Sequence, residues 1–431
     1  MKRPRTTPPA ATSPPAELIS AAEAAALLGV QRASLYAYVS RGLLTSAPGR
    51  GRASLYRRDE VERLRARSQA RAGHEAVAAG ALRWGDPVIA TAIADITPQG
   101  PRYRGHLALD LVHRDLSYEA VAGLLWRGDL DPDTPPWSPR GALAELRRLR
   151  AGLPEDATPL AVLRLALAQS GAREGAIGLA EPAEEALAAR LIARLAALAA
   201  LPFGDDRVRA AASVDGVARI TTLALLGRDD PAIRPVLEAT LILCADHDLN
   251  ASTFAARVVA STGADLHACL GGAAAALSGP LHGGASARVE GLLGEAAALR
   301  SPPLAVRARF ARGEAIPGFG HPLYPAGDPR ATHLLRLASA HAPGRAGLRR
   351  LLDIAAEVAD AGHAAPNLDF GLVAVAEALA LPRGSASALF AIGRTAGWVA
   401  HILEQRRQGF LLRPTARYIG PEAPKAPPPR P

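Results

Sequence analysis

The chain opens on a stretch without periodicity and changes character at Ser20. Residues 1–16, MKRPRTTPPAATSPPA, are Pro-rich and basic and read as a disordered tail. Ser20 and Glu23 form an S-x-x-E pair ahead of the apolar run Ala24–Leu28, which predicts a helix with a reciprocal cap. Gly29 ends it. A second helical pattern carries Leu35, Val39 and Leu43 on one face and stops at Gly42. SAPGRGRASLY then reads as a turn leading into a short strand, and a charged helix follows from about Asp59 to Arg71. Together these elements make a module over 17–73, joined by a linker at 74–87 to a much larger region. From Val88 to Pro414 apolar residues recur at helical spacing, as in EEALAARLIARLAALAAL and EATLILCADHD, and strand-like alternation is nearly absent. Pro, Gly and Asp-Pro breakers divide this region at short intervals, so a mostly α domain of many helices is expected. The end of the chain, 421–431, is again Pro-rich and expected to be mobile.

Composition adds three constraints. With 431 residues, 49% of them hydrophobic, the chain can bury a large core and suggests two to three domains. Its two cysteines, Cys244 and Cys269, are too few for a disulfide framework, and a reducing, cytoplasmic setting fits them best. Every apolar run long enough to span a membrane contains a charge, and the N-terminus lacks an apolar signal core, so neither a membrane nor a secretory route is expected. The net charge of +9 is unevenly spread. Residues 1–73 hold 13 Lys and Arg against 5 Asp and Glu, whereas the remaining 358 hold 37 against 36. Any polyanion partner therefore belongs to the N-terminal module.

Two short helices joined by a Gly turn and followed by a basic hairpin outline a winged helix-turn-helix. The segment LISAAEAAALLGVQRASLYAYVSRGLL resembles DNA-binding modules of the MerR/excisionase type. The resemblance implies that Gln31, Arg32, Ser34 and Tyr36 face a major groove, and that Arg50, Arg52, Arg57 and Arg58 on the wing contact phosphates. A small docking module with a solvated basic face is the alternative.

The second half carries histidines and arginines in unusual places. His247 interrupts two helical patterns in ADHDLNASTFAAR, where Ser252 is a plausible helix cap. His282 stands in SGPLHGGAS, and His321 follows a Gly-Phe-Gly loop in IPGFGHPLYPAGDPR, with Arg330 after the Asp-Pro turn. Asp369 lies between apolar neighbours at a helix start in PNLDFG, Arg394 lies within a helix, and Arg413 follows it in FLLRP. Singly, each has an ordinary structural explanation as a cap, a turn or a surface charge. Zinc is not expected, because the histidines lack HExxH or paired-cysteine spacing.

The order and wording of ADHDLNASTFAARVVAST, GPLHGGAS, GFGHPLY, GDPRA, PNLDF and IGRTAGWVAHILEQ with RPTARYIGP resemble the citrate synthase family over roughly 88–420. The resemblance implies a two-domain, almost all-helical fold: a large domain at 88–285 and 385–420, and a small mobile domain at 286–384. It implies a homodimer that condenses acetyl-CoA with oxaloacetate and hydrolyses the thioester, with no cofactor beyond the coenzyme A substrate. Asp369 would be the general base, His282 the group that stabilises the enol, and His321 the group that polarises and protonates the ketone oxygen. His247, Arg330 and Arg394 would bind oxaloacetate, and Arg413 would reach across the dimer interface. Pro317, Gly318, Phe319 and Gly320 would meet the coenzyme's adenine. Planar arginine forks suit the two carboxylates, and a desolvated Asp369 would gain basicity.

Some positions depart from the family. Ser286 stands where asparagine is frequent, Cys244 where many members have histidine, and Pro322 where a basic residue is common. Three other readings remain open: a 2-methylcitrate synthase using propionyl-CoA, a lyase running the chemistry in reverse, and a DNA-binding regulator that uses the synthase domain as a metabolite sensor.

Overall fold

The computed structural model describes residues 18–28, 30–40, 43–48, 54–58, 60–62, 64, 89–415 and 420. The chain divides into two compact units, with boundaries between Ala90 and Thr91 and between Arg413 and Pro414.

In the first unit, strand β1 (Leu18–Ser20) runs into helix α1 (Ala21–Leu28), followed by α2 (Arg32–Ser40), β2 (Ser46–Pro48) and β3 (Ser54–Arg57). The capping box forms as the sequence predicts. The Ser20 amide donates to Glu23 Oε2 at 2.9 Å, and the Glu23 amide donates to Ser20 Oγ at 3.2 Å. The hairpin of β2 and β3 forms too, and β1 adds a third antiparallel strand on β3, with Ile19 opposite Tyr56. That third strand is not visible in the pattern, because three residues are too few for alternation to register. Leu43 is corrected: α2 ends at Ser40, Leu43 is exposed, and Leu44 enters the small core with Ile19, Ala24, Leu35, Tyr56 and Val61. Of the charged helix expected from Asp59, only Arg58, Glu60–Glu62 and Leu64 are described as helical. Arg50, Arg52, the side chain of Arg32, both tails and the linker lie outside the described residues.

The second unit begins with a three-stranded antiparallel sheet, β4 (Ala94–Thr97), β5 (Gly100–Tyr103) and β6 (His106–Leu107), which the alternation pattern did not reveal. Helices follow to its end: α3 (Ala108–His113), α4 (Tyr118–Arg127), α5 (Ala142–Gly152), α6 (Pro159–Glu174), α7 (Glu181–Leu198), α8 (Asp205–Ala211), α9 (Val217–Leu226), α10 (Arg234–Cys244), α11 (Ala251–Ser261), α12 (Leu266–Leu277), α13 (Ala285–Ala298), α14 (Pro302–Ala311), α15 (Pro329–His341), α16 (Ala346–Asp360), α17 (Leu368–Ala378) and α18 (Ser385–Gln408). Local chemistry sets their ends. Ser117, Thr158, Asn250, Asp265 and Asn367 accept first-turn amides, and left-handed Gly128, Gly227 and Gly409 close three C-termini.

Helix α18 is the axis of the packing, in contact with α4, α6, α7, α10, α11, α12, α13 and α17. Gly393 and Gly397 make the approach of α10 possible: a Cβ at Gly393 would lie 2.7 Å from Cys244 Cβ, and one at Gly397 would lie 2.3 Å from the Ala245 carbonyl oxygen. By length and composition alone, α18 and the segment Glu181–Phe203 could cross a bilayer, yet 94% and 72% of their apolar windows are buried inside the protein. They are core helices here, with neighbours on nearly every side.

Candidate active site

Three loops converge beside the middle of α18. The first runs from α10 to α11 and carries Asp246 and His247, both buried. Its anchor is Tyr103 on β5, whose hydroxyl donates to the Ile242 carbonyl at 2.9 Å. Asn250, not Ser252, caps α11, with its Oδ1 accepting from the Thr253 amide at 3.1 Å. Ser252 is thereby free for another task. Its Oγ donates to Asn250 Oδ1 at 2.8 Å, accepts from Trp398 Nε1 at 3.1 Å, and lies 2.7 Å from His282 Nε2.

The second loop leads from α12 to α13 and presents His282, whose ring meets Phe390 of α18 edge-on at 6.0 Å. The third spans Pro317 to Asp328. Gly318 and Gly320 have φ of +86° and +76°, and a Cβ on Gly318 would lie 2.7 Å from Val289 Cγ2 and 3.1 Å from Phe370 Cβ. This strap is pinned to the segment ahead of α17. Gly320 N donates to the Ala365 carbonyl at 2.9 Å, Asn367 N to the Gly318 carbonyl at 2.9 Å, and Asn367 Nδ2 to the Gly320 carbonyl at 3.1 Å. Asn367 also caps α17, so the strap and Asp369 share one support.

The histidines are neutral. Burial, aided by nearby arginines, pulls His247 well below its ordinary value and brings His282 and His321 down to about 4. The Leu323 amide donates to His321 Nδ1 at 3.1 Å, so the neutral ring carries its proton on Nε2. His247 Nε2 pairs with the Tyr324 hydroxyl at 2.9 Å, and its ring lies 5.1 Å from that of His321. Burial pushes the Tyr324 phenol up to about 12.

Both arginines are buried, in different states. Arg330 forms a two-pronged pair with Asp328, Nε to Oδ1 at 3.0 Å and Nη2 to Oδ2 at 2.8 Å, and lies over the Tyr324 ring. Burial pushes the Asp328 carboxyl up, but the Arg330 charge and bonds outweigh it and hold the group below its ordinary range. Arg394 donates from Nε to the Cys244 carbonyl at 2.6 Å and sits over Phe390, while its buried Nη1 has no partner. Burial pulls its pKa down.

Asp369, at the second residue of α17, is partly buried. Ser286 Oγ donates to its Oδ1 at 2.6 Å, and desolvation raises its pKa despite that bond. The charge of Arg330 acts on both Asp369 and His247, and that of Arg394 on both His247 and His282. Electrostatically, His247, His282, His321, Arg330, Asp369 and Arg394 form one cluster, bordered by the strap Pro317–Gly320. Arg413 does not join it within the chain; it is exposed and makes no hydrogen bond to these residues. Tyr324, Asp328, Ser286, Asn367 and Trp398 complete the site, and sequence reasoning gave none of them a part. Asp328 had a signal: an Asp-Pro ahead of a helix is a cap with a free carboxylate to share.

Comparison with known proteins gives this cluster a context. The family described as citrate synthase, C-terminal domain, matches residues 81–415, and a helix-turn-helix domain family matches 18–69. A 2-methylcitrate synthase of Mycobacterium tuberculosis is 36% identical over 352 residues, covering 77% of this chain and 88% of the relative. A citrate synthase of Mycolicibacterium smegmatis is 33% identical, covering 77% and 92%. Among solved structures, citrate synthase of Thermoplasma acidophilum in ternary complex with carboxymethyl coenzyme A and oxaloacetate superposes with a TM-score of 0.68 at 25% identity, covering 80% of this chain and 97% of that one. The Thermotoga maritima citrate synthase gives 0.65 at 29% identity, covering 80% and 96%. The match spans the helical unit from its first strands to the end of α18, and the chain accordingly belongs to the citrate synthase family of acyl-transferring enzymes, with a helix-turn-helix domain ahead of the synthase region.

Proposed function

We propose that the protein condenses acetyl-CoA with oxaloacetate and hydrolyses the resulting thioester, yielding citrate and free coenzyme A in the tricarboxylic acid cycle. The observation that carries this reading is the unpartnered Nη1 of Arg394, a buried cation next to neutral histidines. A buried charge without a partner is costly, and a carboxylate of oxaloacetate would complete it. His247 and Arg330 would hold the remainder of the dicarboxylate.

Asp369 would remove a proton from the acetyl methyl group, its basicity raised by partial burial. The developing enolate charge needs a donor at the thioester oxygen. His282 supplies it when Ser252 turns its one hydroxyl proton from Asn250 Oδ1 to Nε2, which leaves the imidazole proton on Nδ1. The enol carbon then attacks the ketone carbon of oxaloacetate, and His321 Nε2–H protonates the resulting alkoxide. Water cleaves the citryl thioester and releases the thiol. Closure of 286–384 over the remainder of the synthase region would exclude solvent during bond formation. Arg413 would complete a second copy's site in a homodimer.

Propionyl-CoA is the nearest competitor, since one methylene is worth only about 1–3 kcal/mol in a pocket. Thiol release with each thioester, dependent on oxaloacetate, tests the reading. Faster release from acetyl-CoA, lost in Asp369→Asn, supports citrate synthesis; faster release from propionyl-CoA makes the product 2-methylcitrate. Silence with both, from folded protein that binds oxaloacetate, leaves the metabolite-sensing regulator.

DNA is the second partner we propose, supported by the helix-turn-helix match and by the charge concentrated in 1–73. Tyr36, on α2 with Arg32 and Ser34, is 69% exposed, as a groove-facing residue must be. Salt-dependent retention of a duplex, lost on removing 1–73, is the expected result.

A further inference from the structure

We infer that Ser286 is a positioning residue for Asp369, holding Oδ1 so that Oδ2 is the oxygen that takes the α-proton of the acyl thioester. The inference rests on the acyl-CoA condensation proposed above. Ser286 is 1% exposed, and the Asp369 bond is its one side-chain hydrogen bond. An ionised carboxylate can only accept, so the hydroxyl donates, and the 2.6 Å separation lies in the range of charge-assisted bonds. Among the described residues, Oδ2 makes no hydrogen bond. In the proton transfer, the C–H electron pair stays with the enolate and the proton moves to Oδ2; Oδ1 keeps the Ser286 bond throughout.

The carboxylate torsion is intrinsically broad, so a donor on Oδ1 is what fixes the plane of the group and the direction in which Oδ2 points. Helix packing brings the two residues together. Helices α13 and α17 pack on each other, and Gly318 is wedged between Val289 of one and Phe370 of the other. The charged groups that act on Asp369 from the surrounding elements are Arg288 on α13, Arg330 on α15 and Asp328 at its cap. From α18, Arg394 acts on His247 and His282, and Arg345 and Arg350 at α16 act on Glu377, at the other end of α17. All of these remain in place when Ser286 alone is changed.

The test compares Ser286→Ala and Ser286→Asn with the unmodified protein, full length in each case. Losing the donor destabilises the ionised carboxylate, so in Ser286→Ala the acid limb of kcat/KM moves up by about one pH unit. Its KM for oxaloacetate stays unchanged. Ser286→Asn restores an amide donor at a position the family often fills with asparagine, and returns the limb toward its original place. A rate loss equal at every pH, or a limb that does not move, overturns the proposal. A second readout separates it from the functional reading: infrared titration of 13C-labelled aspartate, with Asp369→Asn identifying the band. A rise of the Asp369 pKa in Ser286→Ala supports the bond's role even if neither thioester is turned over. An unmoved band overturns it.

Discussion

On one flank of the candidate site, Asp328 accepts three bonds from Arg330 and a fourth from the Leu368 amide, so charge and hydrogen-bonding capacity are both satisfied. On the neighbouring flank, Arg394 commits Nε to a carbonyl and leaves Nη1 buried without a hydrogen-bond partner among the described residues; the Asp246 charge acts on it through space, and Asp246 Oδ1 likewise lacks a hydrogen bond. Asp369, using one oxygen only, belongs with this unfinished side. The difference separates support from function. The saturated Asp328 carboxylate ties Arg330 and the 317–330 strap to α17, whereas the unpaired Nη1 of Arg394 leaves an interaction for a ligand to complete.

Substitutions should affect the two flanks in opposite ways. The largest effect is expected from Asp369→Asn, which should lower thiol release by about 10²–10⁴-fold. It should cost no stability at neutral pH. A carboxyl whose folded pKa is raised loses stability as pH climbs through that value, and the amide avoids this loss. Arg394→Gln comes next: oxaloacetate should lose its protective shift of the melting temperature, while the unliganded protein melts at or above its original temperature. Asp328→Asn should do the reverse. Breaking a buried pair costs about 3–5 kcal/mol, read by denaturant unfolding, with ligand protection retained in whatever fraction folds. Equal destabilisation by both substitutions would sink the distinction.

A smaller effect is expected from pH. Buried His247 and His333 and half-buried His282 and His321 have folded pKa values below that of the unfolded chain, those of His282, His321 and His333 about 4. Their contribution is therefore fully present above about pH 6.5. It fades as pH falls toward 4, because the unfolded state takes up protons first. Melting temperatures from pH 8 to 4 should be flat and then fall. His333→Gln, on α15, should make the fall shallower without altering thiol release. Smallest of all, removing residues 1–73 should leave thiol release unchanged while abolishing duplex retention.

The sequence showed several features because they are local. The S-x-x-E box needs only one helical turn, and a cap, a Gly stop or an Asp-Pro start is decided within four residues. The candidate histidines, Asp369 and the arginines were legible as motifs in a recognisable order. Short strands were not, because β1, β4, β5 and β6 hold two to four residues each and pair by tertiary contact. Ser252 looked like a helix cap until Asn250 proved to fill that place and left its hydroxyl to His282, thirty positions away.

Local pattern and composition specify a basic helix-turn-helix followed by an α-helical synthase region, together with the identity of the groups that carry charge. How far each of those charges is answered is set by packing through space. Arg330 and Arg394 are the same residue type in similar burial, and only the first has an acid close by along the chain, Asp328 in the Asp-Pro turn. Asp328, two residues away and on the same turn, pairs with the first; the second donates to the Cys244 carbonyl, 150 residues distant across packed helices, and feels the Asp246 charge only through space. Hydrogen bonding and desolvation depend on distances through space, and for side chains from separate helices those distances exist only once the core has closed.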